Sequence, residues 1–226
     1  MSDNNENILR DSQLASLGKM LAGYSHELKN HLAIINESSG LMDDLLDMDC
    51  SGDEQTVQRF KKIISVIGER INQANIMAKH MNSFAHKMDI PVSNFDVNEL
   101  LDEELAFLDR FFWIKSVSVH KNLQPGLPSV SNNPSLLQFV IFTYMHQIIS
   151  VMESGSEITL SSQMQGQDIL IVIDSPTLSA PTIGQEDGSS ADEAIRYALN
   201  KMCISITEET LAEGRHKTTL IIAPGG

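Results

Sequence analysis

Cysteine is nearly absent from this 226-residue chain, where Cys50 and Cys203 stand far apart without a partner spacing. That excludes a disulfide framework and leaves no pair of thiolates for a zinc site. Positive charge is also scarce. Sixteen Lys and Arg against thirty Asp and Glu give a net charge of −14, which repels a phosphate backbone and excludes nucleic acid as a partner. The excess of acid reads as a solvated surface, leaving protein partners and small ligands open. No apolar run approaches the roughly 20 residues that cross a bilayer. The polar opening MSDNNEN has no signal-peptide pattern, so the expectation is a cytoplasmic protein without membrane contact. None of the seven histidines lies four residues from another, so no metal is expected on a helix.

What is present is helical periodicity. Leu14, Leu21, Leu28, Ile35 and Met42 recur every seventh residue. Leu17, Tyr24 and Leu45 fall on the complementary position of the same stripe, with His31 and Ser38 interrupting it. A repeat of seven predicts a coiled-coil-like seam rather than an ordinary surface helix. After an acidic loop from Asp43 to Glu54, with Gly52 inside it, a second run begins. Val57, Phe60, Ile64, Ile67, Ile71, Ala74, Ala78, Met81 and Ala85 follow at spacings of three and four. Two such helices make a hairpin, and one hairpin cannot cover both stripes. Two copies in a four-helix bundle can, so a homodimer is expected.

Pro91 ends the second helix, and the pattern changes. Asp96 followed by Glu99 predicts a capping box for a helix through LLDEELAFLDRFFW. A short strand is expected at Val117 to His120, then a turn at Gln124 to Pro128. Pro134 suits a first helical turn, and a helix follows through Met152. Strands are expected at Glu157 to Met164 and Gln167 to Ile173, turning at Gly166. A helix near Asp192 to Met202 and strands near Ile204 to Thr207 and Lys217 to Ile222 complete an α/β sandwich. The N-terminus and the Ser/Gly/Thr-rich stretch from Ser175 to Ser190 are expected to be flexible.

The chemistry concentrates in LASLGKMLAGYSHELKNHLAII, Leu14 to Ile35. On a helix His26 lies about 200° from Leu28 and so points away from the seam. Asn30, four residues on, shares its face, and Glu27 is its neighbour. An exposed imidazole with one free ring nitrogen is a nucleophile toward phosphorus. A carboxylate can hold the other proton, and a carboxamide can position a water for the reverse step. A lone exposed histidine would carry no such meaning; here the surrounding pattern does. SHELKN resembles the H-box of sensor histidine kinases, and LGKMLAGYSHEL is similar to the helix that bears it. The resemblance implies His26 as phosphoacceptor, Glu27 as acid/base partner and Asn30 as the residue of phosphatase action. The family usually has proline after this asparagine, where the chain has His31, which implies a straighter helix. NSFAHK, Asn82 to Lys87, is similar to the close of the family's second helix.

From about Phe95 to Pro224 the order of elements is similar to the GHKL-type ATPase domain that follows this hairpin in the family, but the functional residues depart from it. The metal-binding asparagine positions fall on LLQFVIFTYMHQIISVM and hold Phe142 and His146. Phenylalanine offers no oxygen to a hard cation. The adenine-contacting box falls on IDSPTLSA, where Asp174 remains but Pro176 and Leu178 replace glycines. Gly184 and Gly188 are isolated, and SSADEAIRYAL enters its helix without a phosphate-cradling turn. Asp174 alone is a weak remnant of an ATP site, so no cofactor is expected.

These readings give an α+β chain with residues 1–12 as a flexible N-terminus, 13–89 as the dimerisation and phosphoacceptor hairpin and 90–226 as a degenerate ATPase-like sandwich. The expected function is histidine phosphotransfer in two-component signalling, with His26 exchanging a phosphoryl group with a response-regulator receiver domain without ATP. Two alternatives are a non-catalytic module that regulates a partner histidine kinase and a divergent active kinase.

Overall fold

The structure, a computed structural model, describes residues 2–47, 54–176, 189–211 and 214–223. The chain falls into two compact units, Ala22–Phe84 and a second made of Met1–Leu21 together with Ala85–Gly226. The two long helices, α1 (Ser2–Asp47) and α2 (Glu54–Asp89), both cross this division. The expected acidic loop, with Gly52 and Cys50, lies largely outside the described residues, as does most of the expected flexible stretch at Ser175 to Ser190.

Within Ala22–Phe84 the two apolar rows of α1 separate. Tyr24 and Leu45 are buried, with His31 and Ser38 half-buried between them. The complementary row therefore forms the seam of the hairpin, and the Tyr24 hydroxyl lies 3.3 Å from His80 Nδ1 of α2. The other row keeps Leu28 40% exposed, and on α2 the heptad Val57, Ile64 and Ile71 is 43–56% exposed. A single chain thus leaves one apolar face of each helix without cover.

The first turns of α1 correct the sequence reading. Residues 1–12, expected as a flexible N-terminus, are helical from Ser2 and belong to the α/β unit. Leu9, Ser16 and Met20 are buried at spacings of seven and four, a stripe that the polar run MSDNNEN masks. Ser16 Oγ lies 2.9 Å from Thr143 Oγ1. Glu6 accepts from the Tyr197 hydroxyl at 2.9 Å and from Lys201 Nζ at 2.7 Å. The domain limits 13–89 and 90–226 give way accordingly to one continuous unit and one discontinuous unit.

The α/β unit runs β1 (Ser93–Phe95), α3 (Val97–Lys115), β2 (Ser118–Leu123), β3 (Val130–Asn132), α4 (Pro134–Val151), β4 (Glu157–Gln165), β5 (Asp168–Pro176), α5 (Ser190–Lys201), β6 (Ser205–Leu211) and β7 (Arg215–Ile222). The main sheet has the order β2-β4-β5-β7-β6, parallel between β2 and β4 and antiparallel elsewhere. The short strands β1 and β3 pair separately; they lack the alternation that marks a strand and were not expected. Asp96 caps α3 by accepting from the Asn98 and Glu99 N–H groups, whereas the reciprocal capping box forms at α5, between Ser189 and Asp192. Asn133 caps α4, with Pro134 in its first turn. Gly166, at φ 66°, makes the β4–β5 turn. By length and composition α4 could cross a membrane, but 72% of it is buried as the core helix between α3, α5 and the sheet.

A polar cluster sits inside this core. Glu103 accepts from Lys87 Nζ and, at 3.3 Å, from Gln138 Nε2. Neighbouring Glu104 is fully buried, and neither carboxyl oxygen meets a hydrogen-bond partner in good geometry among the described residues. Burial pushes its pKa well above the ordinary 4.5, against the opposing pull of Lys87. Above about pH 4.5 the unfolded chain releases this proton while the folded chain keeps it, so stability falls as the pH rises from there toward the folded-state pKa. Glu104→Gln should lose this component of the pH dependence, and Glu104→Met should gain about 1–3 kcal/mol at neutral pH by removing the unpaired buried group. Urea unfolding of the variants and wild type across pH 5 to 8 checks both.

Candidate functional site

His26 sits on α1 four residues before Asn30, so the helical rise stacks the two side chains on one face. Both are exposed, and Asn30 Nδ2 lies 3.2 Å from His26 Nδ1. His26 Nε2 has no hydrogen-bond partner among the described residues. Glu27 is half-buried and makes no hydrogen bond among the described residues. The structure therefore joins two of the three residues expected to act together and leaves Glu27 apart from the ring, because its neighbouring position turns it about 100° around the helix. The Tyr24–His80 contact was not anticipated. Tyr24 was read only as an apolar seam residue, and no local pattern marks His80 as its partner.

In the α/β unit Asp174 ends β5 and is already engaged. Arg215, entering β7 on the adjacent antiparallel strand, donates from Nε to Asp174 Oδ1 at 2.7 Å and from Nη2 to its backbone carbonyl at 3.3 Å. Arg215 was missed because 41 residues separate it from Asp174 and only sheet register brings them together. Beside this pair, among the described residues, Ser175 Oγ is buried without a hydrogen-bond partner, as is His216 Nε2, which lies 3.9 Å from the Glu208 carboxylate. Pro176 closes β5, while Leu178, Gly184 and Gly188 lie outside the described residues.

On α4, Phe142 and His146 turn toward α3. Phe111 meets the two rings edge-on at centroid distances of 6.0 and 4.8 Å, and they stack on each other at 5.9 Å. Within this packing the Phe142 ring offers no oxygen to a hard cation. The side of α4 toward the sheet and α5 carries Tyr144, whose hydroxyl lies 2.5 Å from Thr218 Oγ1, and Gln147, which donates to Asp192 Oδ1 at 2.9 Å. Gln147 was another residue that sequence reasoning passed over. A cleft of about 140 Å³ beside His146, lined by Phe111, Ile114, Lys115, Ile149 and Ser150, is apolar and far below the size of a typical ligand pocket.

No protein-family model and no curated protein matches the chain. Solved structures do. The histidine kinase AdeS of Acinetobacter baumannii superposes with a TM-score of 0.50 at 13% identity, over 88% of this chain and 98% of its own. The catalytic domain of the histidine kinase ThkA gives 0.52 at 12% identity, over 60% of this chain and 97% of its own. ThkA in its complex with the response regulator TrrA gives 0.51 at 14% identity, over 99% of this chain and 66% of that one. The chain thus has the fold of a sensor histidine kinase core, with long N-terminal helices followed by the mixed-sheet domain.

Burial lowers the pKa of His146, and Lys19 on the first turns of α1 lowers it further. The unfolded chain therefore takes up a proton near pH 6.5 that the folded chain resists, so this contribution to stability is present above that pH and lost as the pH falls through it. His146→Phe should narrow the drop in melting temperature between about pH 7.5 and pH 5.5, which paired thermal melts measure.

Proposed function

We propose that this chain is a two-component phosphotransfer protein in which His26 accepts a phosphoryl group from, or returns it to, the receiver aspartate of a response regulator, without using ATP. The observation that carries this reading is the exposed His26–Asn30 pair on the hairpin, with the Asn30 amide 3.2 Å from Nδ1 and Nε2 without a hydrogen-bond partner among the described residues. An aspartyl phosphate is already an activated acyl phosphate, so transfer needs a positioned nucleophile rather than a nucleotide. Nε2 forms the N–P bond as the P–O bond breaks with its electrons on the receiver carboxylate. Release from ATP is supported by the Asp174–Arg215 pair, which satisfies the carboxylate from within the sheet, and by the aromatic packing of Phe142 and His146. The response regulator bound to ThkA supports a receiver domain as partner. We place the protein in the cytoplasm, where such partners reside.

The same reading makes the protein a homodimer. The exposed rows Leu14, Leu21 and Leu28 on α1 and Val57, Ile64 and Ile71 on α2 are spaced as heptads, and a second hairpin would cover them. Those rows also favour a second reading, in which the hairpin pairs with that of an active histidine kinase and tunes it while His26 is dispensable.

Two experiments separate these possibilities. Purified wild-type protein should be labelled on His26 by a phosphorylated receiver domain and not by magnesium-ATP, and His26→Gln should fall to background. Equal labelling of His26→Gln would overturn the phosphotransfer reading, and label from ATP would overturn its nucleotide-free form. For the dimer, Ile64→Glu with Ile71→Glu removes about 1.5–3 kcal/mol of apolar burial per side chain. The dissociation constant should rise at least about a hundredfold, leaving a folded monomer in light scattering at micromolar concentration.

A further inference from the structure

The structure places Asn30 Nδ2 3.2 Å from His26 Nδ1, and the two ends of that carboxamide dictate opposite chemistry. A neutral imidazole carries one N–H and one lone pair in the ring plane, on different nitrogens. If the Asn30 N–H donates to Nδ1, it uses that lone pair. The ring proton is then on Nε2, which has nothing to offer phosphorus. If the amide makes a half-turn and its carbonyl faces Nδ1, the ring proton sits on Nδ1 and the Nε2 lone pair points to solvent. Oxygen and nitrogen of a carboxamide are alike in shape, so one heavy-atom arrangement accommodates both states. Glu27 makes no hydrogen bond among the described residues, so the group in reach of the ring is the carboxamide rather than the carboxylate.

We propose that Asn30 is a positioning residue that sets the tautomer of His26, opening Nε2 to phosphorus when its carbonyl faces Nδ1 and closing it when its N–H does. The inference rests on His26 being the phosphoryl carrier. In the open state the Nε2 lone pair forms the N–P bond, and the P–O bond to the receiver carboxyl breaks with its electron pair on that carboxylate. The ring proton stays on Nδ1, held by Asn30 Oδ1, so no base removes a proton at the moment of attack. The reverse transfer retraces the same path. Neither state needs movement of the backbone, because both side chains stand on one exposed helical face.

The test uses the full chain with nitrogen-15 in its histidines, at about pH 8 where imidazole is neutral. Two-bond proton–nitrogen spectra read the His26 tautomer directly. Phosphoramidate serves as a donor that needs no receiver: its P–N bond breaks, ammonia leaves with the electron pair, and the phosphoryl group passes to Nε2. Asn30→Asp can only accept from the ring, and Asn30→Ala can do neither. Asn30→Asp should hold the Nδ1–H form and label at least as fast as wild type. Asn30→Ala should move the tautomer ratio toward Nε2–H and slow labelling by about fivefold, the equivalent of one net hydrogen bond of about 1 kcal/mol. Identical tautomer ratios in all three proteins would overturn the inference, as would a ratio that responds to Glu27→Gln and not to Asn30→Ala. Labelling by phosphoramidate that depends on Asn30, with no labelling by any receiver, would leave the inference standing and remove the function it rests on. Equal receiver labelling of all three proteins would do the opposite.

Discussion

The architecture follows from one geometric limit: a pair of helices can bury only one stripe of each against the other. Both α1 and α2 carry two apolar rows, and the hairpin uses the row of Tyr24, His31, Ser38 and Leu45. This row holds two polar interruptions and is the poorer seam. The richer heptads of leucine, valine and isoleucine face outward. Helices of this length draw their stability from tertiary packing of an amphipathic face more than from propensity. The better surface is thus the one that the proposed dimer would cover. The poorer one is supplemented by polar contacts such as Tyr24–His80.

In the α/β unit the side chains that the sequence singled out are engaged with one another. Arg215 neutralises Asp174, Gln147 reaches Asp192, Tyr144 reaches Thr218, and three rings fill the space between α3 and α4. Each contact alone is modest. The partly exposed ion pair is worth little by itself. Ser175 Oγ and His216 Nε2 remain buried beside the sheet without hydrogen-bond partners among the described residues.

Much of this was legible in the sequence, because periodicity and turn chemistry are local. The seven-residue repeat predicts α1, the Pro91 break ends α2, Asn133–Pro134 starts α4, and Gly166 turns β4 into β5. His26 and Asn30 were legible for the same reason, since four residues is one helical turn. What escaped was set by distance along the chain. β1 and β3, Ser93 to Phe95 against Asn132 to Val130, pair across a long stretch of sequence with no alternation of their own, and Arg215 finds Asp174 only through the β5–β7 ladder. The docking of the first turns of α1 escaped differently: its buried positions are few and come after the polar run MSDNNEN, so composition suggested a tail.

That docking also bears on how the chain is made. Glu6 meets Tyr197 across 191 positions of sequence and Ser16 meets Thr143 across 127. At synthesis rates of about 5–20 residues per second, the first helical turns emerge about 10–40 s before α5 exists to receive them. Through that interval Leu9 and Met20 lack their cover, and closing so long a loop carries an entropic cost that local helix formation does not. The α/β unit is consequently completed only once α5 has been made, by a segment of helix synthesised long before it.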